Sequence, residues 1–147
     1  MPTNINEVTR AYIAGFIDGE GCITITKSKK RRTSSYCYAL NVVISNTNLE
    51  SLELVQRYYG GKIVKLQVHS IWVDRYALRI GTHKSHMLIK DLTGYFIVKR
   101  KQARVALIFM DIKKKYGGRL GKRCDESFLQ KEEDCKLNMN KLNKRGK

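Results

Sequence analysis

The stretch RAYIAGFIDGEG, residues 10–21, brings two carboxylates, Asp18 and Glu20, to the end of an otherwise apolar segment. Carboxylates are hard oxygen ligands suited to a cation such as Mg²⁺, which in turn activates water or polarises a phosphoryl group. Tyr12, Ile13, Phe16 and Ile17 recur at helical spacing, so the acids stand at a helix C-terminus. That helix also carries Gly15 and Gly19. Each glycine in a helix interior costs roughly 1 kcal/mol relative to alanine. Two of them in one helix ask for a reason.

The surroundings of these acids are strongly basic. The 147 residues include 29 Lys+Arg against 13 Asp+Glu, a formal net charge of +16. An excess of this size favours a polyanion, through field steering and counterion release, over a merely solvated basic surface. A membrane-surface protein is disfavoured, because no basic stretch doubles as a long amphipathic helix with bulky apolar anchors. There is no apolar run long enough to span a bilayer, and MPTNINEVTR lacks the pattern of a secretory signal. The expected setting is therefore intracellular, in a prokaryotic or archaeal cytoplasm or an organelle. Cys22, Cys37, Cys124 and Cys135 form no CxxC pair, which excludes zinc-finger spacing and points to reduced thiols. His83 and His86 share a helical face, but no cysteine or acid pattern completes a zinc site around them.

The elements that position the acids follow from periodicity. After the first helix, CITITKSKK alternates, and YCYALNVVIS follows a basic turn, with Tyr38, Leu40, Val42 and Ile44 on one side. The two read as a hairpin. TNLESLELVQRYYGG is a helix with a capping box from Thr47 to Glu50 and a Gly60–Gly61 stop. A second hairpin pairs 62–69, with Val64, Leu66 and Val68 inward, and 72–80, with Trp72, Tyr76, Leu78 and Ile80 inward. Helices are predicted over about 83–93 and 98–116. Residues 119–147 read as a peripheral, basic helical extension of the domain formed by 1–118. The fold class is α+β, in the order αββαββα, with four strands in one antiparallel sheet.

The outward sheet face is predicted to carry Thr24, Thr26, Ser28, Lys30, Arg32, Asn41, Lys65, Gln67, His69, Arg75 and Arg79. Arginine, lysine and glutamine read base edges, and β-ribbons enter the major groove.

Residues 13–21, Ile-Ala-Gly-Phe-Ile-Asp-Gly-Glu-Gly, resemble the signature of the LAGLIDADG homing endonucleases, and the αββαββα order that follows is similar to theirs. The resemblance covers roughly residues 8–116. It implies a site-specific double-strand DNA endonuclease, encoded in an intron and using Mg²⁺, with Mn²⁺ or Ca²⁺ able to substitute for binding. It implies that motif helices from two αββαββα units pack side by side, with Ala14, Gly15 and Gly19 as the small-residue face and Asp18 beside them. Only one motif occurs here, so two copies would form a homodimer on a near-palindromic site of about 20 base pairs. Glu20 takes the metal-binding position, where the family consensus has aspartate, with Gly19 adjacent. Asn46 falls where relatives carry a water-positioning polar residue, and equally where a helix cap would lie. Lys99 falls where they place a cation near the scissile phosphates. The alternative is a non-catalytic nucleic-acid binder of the same fold, an RNA maturase or a transcriptional regulator.

Overall fold

The computed structural model describes residues 4–29, 36–67, 73–116 and 126–144. Helix α1 (Glu7–Glu20) runs directly into the hairpin β1 (Gly21–Lys29) and β2 (Tyr36–Asn46). Next come α2 (Leu49–Tyr59), the pair β3 (Lys62–Leu66) and β4 (Arg75–Ile80), and then α3 (Thr82–Leu92), α4 (Arg100–Tyr116) and α5 (Glu126–Asn143). The sheet order is β1-β2-β4-β3, with every pair antiparallel. The architecture is the expected α+β arrangement. Among the described residues, no helix is long and apolar enough to cross a membrane.

Helix α1 begins at Asn6, whose side chain accepts the Thr9 N–H at 2.8 Å. Its buried residues are Ile13, Ala14 and Ile17, on the side that packs on the sheet and α3. The join to β1 explains the last glycine of the motif. A Cβ on Gly21 would lie 2.8 Å from both the carbonyl oxygen and Cγ2 of Ile17, so no side chain fits where the strand leaves the helix.

Register defines the two faces of the sheet. Ile23 opposes Val42, which opposes Ile80; Gly21 opposes Ile44, which opposes Leu78, which opposes Ile63. This face packs against the helices. The opposite face holds Thr24, Thr26, Ser28, Asn41, Arg75 and Arg79, as periodicity indicated. Strand β3 is a correction. Lys65 opposes Tyr76, on the helix-covered side, so Val64 and Leu66 point outward and Lys62, opposite Arg79, joins the polar face. Gln67 lies beyond the strand, in irregular backbone. The adjacent apolar pair Ile63–Val64 left both alternations open, and Ile63 settles the register by packing on the core beside Leu78. Lys65 instead pairs with Asp74 at 3.0 Å, at the exposed sheet edge. The positions of Lys30, Arg32, Val68, His69, Trp72 and Cys124 lie outside the described residues.

Turn chemistry holds β3 in place. Gly60 (φ 75°) and Gly61 (φ 101°) take the left-handed conformations that join α2 to β3. The cap of α2 is Asn48, not Thr47: the helix starts one residue later than the capping-box pattern suggests, and the Asn48 side chain accepts the Ser51 N–H at 2.9 Å. Ser85, fully buried in α3, ties the helix to two strands. Its Oγ accepts the Val42 N–H at 3.1 Å and donates to the Ile80 carbonyl at 2.8 Å.

The largest departure from expectation is α5, which belongs to the core. Phe128, Cys135 and Met139 are buried, and the helix packs on α4 and β1. The nearly inaccessible Glu132 meets Lys113 of α4 at 3.1 Å. Glu133 accepts from the Tyr38 hydroxyl and from Lys27 Nζ at 3.0 Å. The high charge of the segment concealed an apolar stripe at helical spacing.

The hydrogen bond from Tyr38, then that from Lys27, holds the Glu133 carboxyl below its ordinary value. A carboxylate with a depressed folded-state pKa contributes stability that is complete above its unfolded value, about 4.3, and is lost as pH falls through the folded value. Acidification below about pH 4.3 is expected to loosen α5 before the sheet. Amide exchange over 126–143 that stays as slow as that of β2 at the same pH would contradict this.

Candidate active site

The end of α1 and the start of α4 are joined by one side chain. Asp18 Oδ2 accepts the N–H groups of Ile97 at 2.8 Å and Val98 at 3.1 Å, and Oδ1 accepts that of Lys99 at 2.9 Å. Lys99 answers with Nζ on the Asp18 carbonyl oxygen at 2.7 Å. These donors precede or open α4, where backbone N–H groups lack intrahelical acceptors. Asp18 therefore caps a helix remote in sequence, and its negative charge faces the positive end of that helix.

The clamp places Glu20 and Lys99 in one cleft of about 470 Å³, which Ser45 and Arg75 also line. Glu20 is exposed, and no hydrogen bond or ion pair engages its carboxylate among the described residues. The carbonyls of Gly19 and Glu20 lie past the last intrahelical bond of α1, which the Gly21 N–H makes to Ile17. A free carboxylate, the Gly19 carbonyl beside it and the negative end of a helix dipole form a hard-oxygen donor set suited to a divalent cation. Among the described residues no three His, Cys, Asp or Glu side chains gather around a common point; of the two acids that line the cleft Asp18 is engaged, so one chain alone offers a single free acid here.

The outer face of α1 is open. Gly15 and Gly19 are exposed, and a Cβ at either would meet nothing within 4 Å. Ala14, expected on the same face, is instead fully buried. Its neighbours in direction are Ile13 and Ile17, which point to the sheet, because helix positions advance by about 100° per residue. Val8, Ala11 and Tyr12 complete the exposed stripe.

Asn46 lies elsewhere. At the end of β2 it shares the Tyr76 side of the sheet, its Oδ1 accepts the Asn48 N–H at 2.8 Å, and it lines a separate cleft between α1 and α2. It neither caps α2 nor reaches the Glu20–Lys99 cleft. Its neighbour Ser45 does, by the alternation of the strand.

Three further residues of that cleft escaped the sequence reading: Gln102, Asn143 and Lys144. Asn143 Nδ2 donates to the Ile23 carbonyl at 2.8 Å, and Gln102 Nε2 donates to the Leu142 carbonyl at 3.3 Å. These bonds bring the end of α5 beside the end of α1. The spacing of Gln102 three residues after Lys99 was a usable signal, whereas Asn143 and Lys144 sit in a charged segment without one. On the sheet face, Asn41 Nδ2 donates to Thr26 Oγ1 at 3.0 Å, while Arg75 reaches down to the cleft itself.

A sequence model described as LAGLIDADG endonuclease matches residues 13–116. The chain belongs to the LAGLIDADG endonuclease family. No curated protein sequence matches it. Among solved structures, the homing endonuclease I-CvuI, in complex with the I-CreI target and 2 mM Mg, aligns at 17% identity. That alignment has a TM-score of 0.76 and covers 96% of this chain and 85% of that one. The archaeal intron-encoded I-Vdi141I, complexed with DNA, aligns at 18% identity and a TM-score of 0.74, over 96% and 87% of the two chains. The group I intron-encoded I-CeuI, also complexed with DNA, aligns at 14% identity and 0.71, over 97% and 70%. At these identities the likeness establishes that the LAGLIDADG chain shares the homing endonuclease fold.

Replacing Asp18 by alanine removes the acceptor of three N–H groups and is expected to destabilise the fold by about 2 kcal/mol. Asp18→Asn, which keeps a carbonyl oxygen, is expected to lose about half as much. Urea unfolding checks both, and equal losses would show that the charge and not the acceptor matters.

Proposed function

We propose that this LAGLIDADG protein is a homodimeric, divalent-metal-dependent endonuclease that cuts both strands of a long, near-palindromic DNA site, as the product of a mobile intron. The observation that carries this reading is the unengaged Glu20 carboxylate at the tip of α1, next to Lys99 and above the open Gly15–Gly19 face. One chain supplies one acid. A second copy packed on the same face brings a second Glu20 to the first and doubles the sheet.

The sheet faces of two copies form the DNA platform. Strand β2 has 11 residues, roughly 36 Å at about 3.3 Å each. That length matches about ten base pairs at 3.4 Å, so two copies cover about 20. Thr24, Thr26, Ser28, Asn41, Lys62 and Arg79 face the bases, and the net charge of +16 draws the backbone in.

In the cleft, Glu20 and the Gly19 carbonyl are the ligands for Mg²⁺, with Mn²⁺ or Ca²⁺ as substitutes for binding. A cation held there supplies Lewis-acid polarisation of the scissile phosphate and lowers the pKa of a bound water. Lys99, held by the Asp18 carbonyl, and Arg75, at the start of β4, offset the negative charge that grows on the phosphate oxygens. Asn46 takes no part in this chemistry. Ser45, Gln102 and Asn143 give the cleft its polar walls.

The test needs a substrate, which selection from randomised duplexes by binding supplies. Glu20→Gln is expected to bind the selected duplex within about twofold of wild type and to lose cleavage in Mg²⁺ by at least about 10³-fold. Turnover at the wild-type rate by this variant would remove Glu20 from the mechanism. Tight binding without cleavage by the wild type, in Mg²⁺ as in EDTA, would instead identify a non-catalytic binder.

A further inference from the structure

We propose that Asn41 meets the target as a hydrogen-bond acceptor alone and so selects a base with an exocyclic amino group, adenine or cytosine. Thr26 imposes this choice by holding the other end of the Asn41 amide. The assignment rests on the sheet's role as a DNA platform, proposed above, and adds the base that one position takes. Among the described residues, the outer face of β1 and β2 otherwise bears only hydroxyl, thiol and short apolar side chains. Asn41 carries the one amide there, with a donor end and an acceptor end.

An unconstrained asparagine pairs with adenine through both ends, accepting from N6 and donating to N7. The amide of Asn41 is constrained. Its Nδ2 donates to Thr26 Oγ1 at 3.0 Å and to the Ala39 carbonyl at 3.4 Å, and the Thr26 hydroxyl donates to that same carbonyl at 3.4 Å. The three groups close a triangle across a diagonal of the hairpin, since Thr26 opposes Ala39 and Thr24 opposes Asn41. Direction within the triangle is forced. A carbonyl oxygen only accepts, so the amide atom that faces it is the nitrogen. The hydroxyl, whose hydrogen goes to the carbonyl, offers Asn41 a lone pair. Oδ1 has no partner among the described residues.

An amide held in this way leaves its acceptor for the groove. Adenine N6 and cytosine N4 donate to it, whereas guanine O6 and thymine O4 set a second acceptor against it. Without the N7 contact, adenine has no advantage over cytosine. The expected preference is adenine or cytosine about equally, with guanine and thymine disfavoured by about tenfold. Register locates the position. From Glu20 to Thr24, the partner of Asn41, the chain runs roughly 13 Å at about 3.3 Å per residue, the span of about four base pairs. A twofold repeats it in each half-site.

Binding selection from randomised duplexes with the full chain, compared between wild type and Asn41→Ala, identifies the position. One place in each half-site is expected to change from adenine or cytosine to any base, with the rest of the motif kept. Retention of the rest also shows that the variant is folded; should Asn41→Ala not fold, Asn41→Ser takes its place with the same expectation. With adenine at that place, two base analogues separate the modes of contact in the wild type. Replacement by 2-aminopurine, which pairs with thymine but has no amino group at C6, is expected to weaken binding about tenfold. Replacement by 7-deazaadenine, which lacks N7, is expected to leave affinity within about twofold. Thr26→Val removes the shorter of the two bonds on Nδ2 at little change in size. It is expected to narrow the selected base to adenine and to make 7-deazaadenine cost about tenfold. A role for Thr26 in strand stability alone would move neither readout. An Asn41→Ala motif identical to that of wild type, guanine or thymine at the wild-type position, equal losses with both analogues, or a Thr26→Val variant with wild-type preferences overturns the acceptor-only contact and leaves the DNA platform standing. A wild-type chain that enriches no duplex overturns the platform itself.

Discussion

The Asp18 carboxylate is the constraint on which the rest of the site depends. It holds three N–H groups at the entry to α4, and the side chain of the last of those residues returns to the Asp18 carbonyl. Lys99 donates both of its bonds to Asp18, one from the backbone N–H to the carboxylate and one from Nζ to the carbonyl, so the two helix ends are tied at two points. Glu20 is two residues further on. Its position relative to Lys99 is therefore set by a closed ring of short contacts and not by the reach of two flexible side chains. Preorganisation of this sort is what a cluster acting on a phosphate needs, because the groups must be in place before charge develops.

The three glycines of the motif serve separate ends. Gly21 lets β1 leave α1 without a gap, since any side chain there would overlap Ile17. A Cβ at Gly15 or Gly19 would meet nothing within 4 Å, so no crowding inside this chain accounts for the helix penalty they carry. A surface from which side chains have been removed allows another backbone to approach closely, as at tight helix crossings in general. Packing thus distinguishes residues that the sequence presents as one run.

Much of this is legible in the sequence. Helical spacing located α1, α2 and α4, alternation located the strands, and the acids at the end of α1 stood out against a basic chain. What stayed hidden has physical reasons. Alternation alone puts Lys65 on the wrong face because β3 is a short edge strand with apolar residues adjacent at Ile63 and Val64, and only its pairing with β4 separates the two registers. Ala14 looked equivalent to Gly15, yet one step around a helix separates the core from the open face. Asn46 and Ser45 exchange places for the similar reason that neighbours in a strand point to opposite sides. The burial of α5 was masked by composition, since charged residues outnumber the few apolar ones that its contact with α4 and β1 requires.

The bond from Asn143 to the Ile23 carbonyl spans 120 positions of sequence. One wall of the cleft is thus laid down early in synthesis and the facing wall not until residues 142–144 have emerged. Contacts so distant in sequence form late, because the intervening chain must be ordered first. A nascent chain long enough to have folded its sheet still presents Glu20 in an unwalled groove.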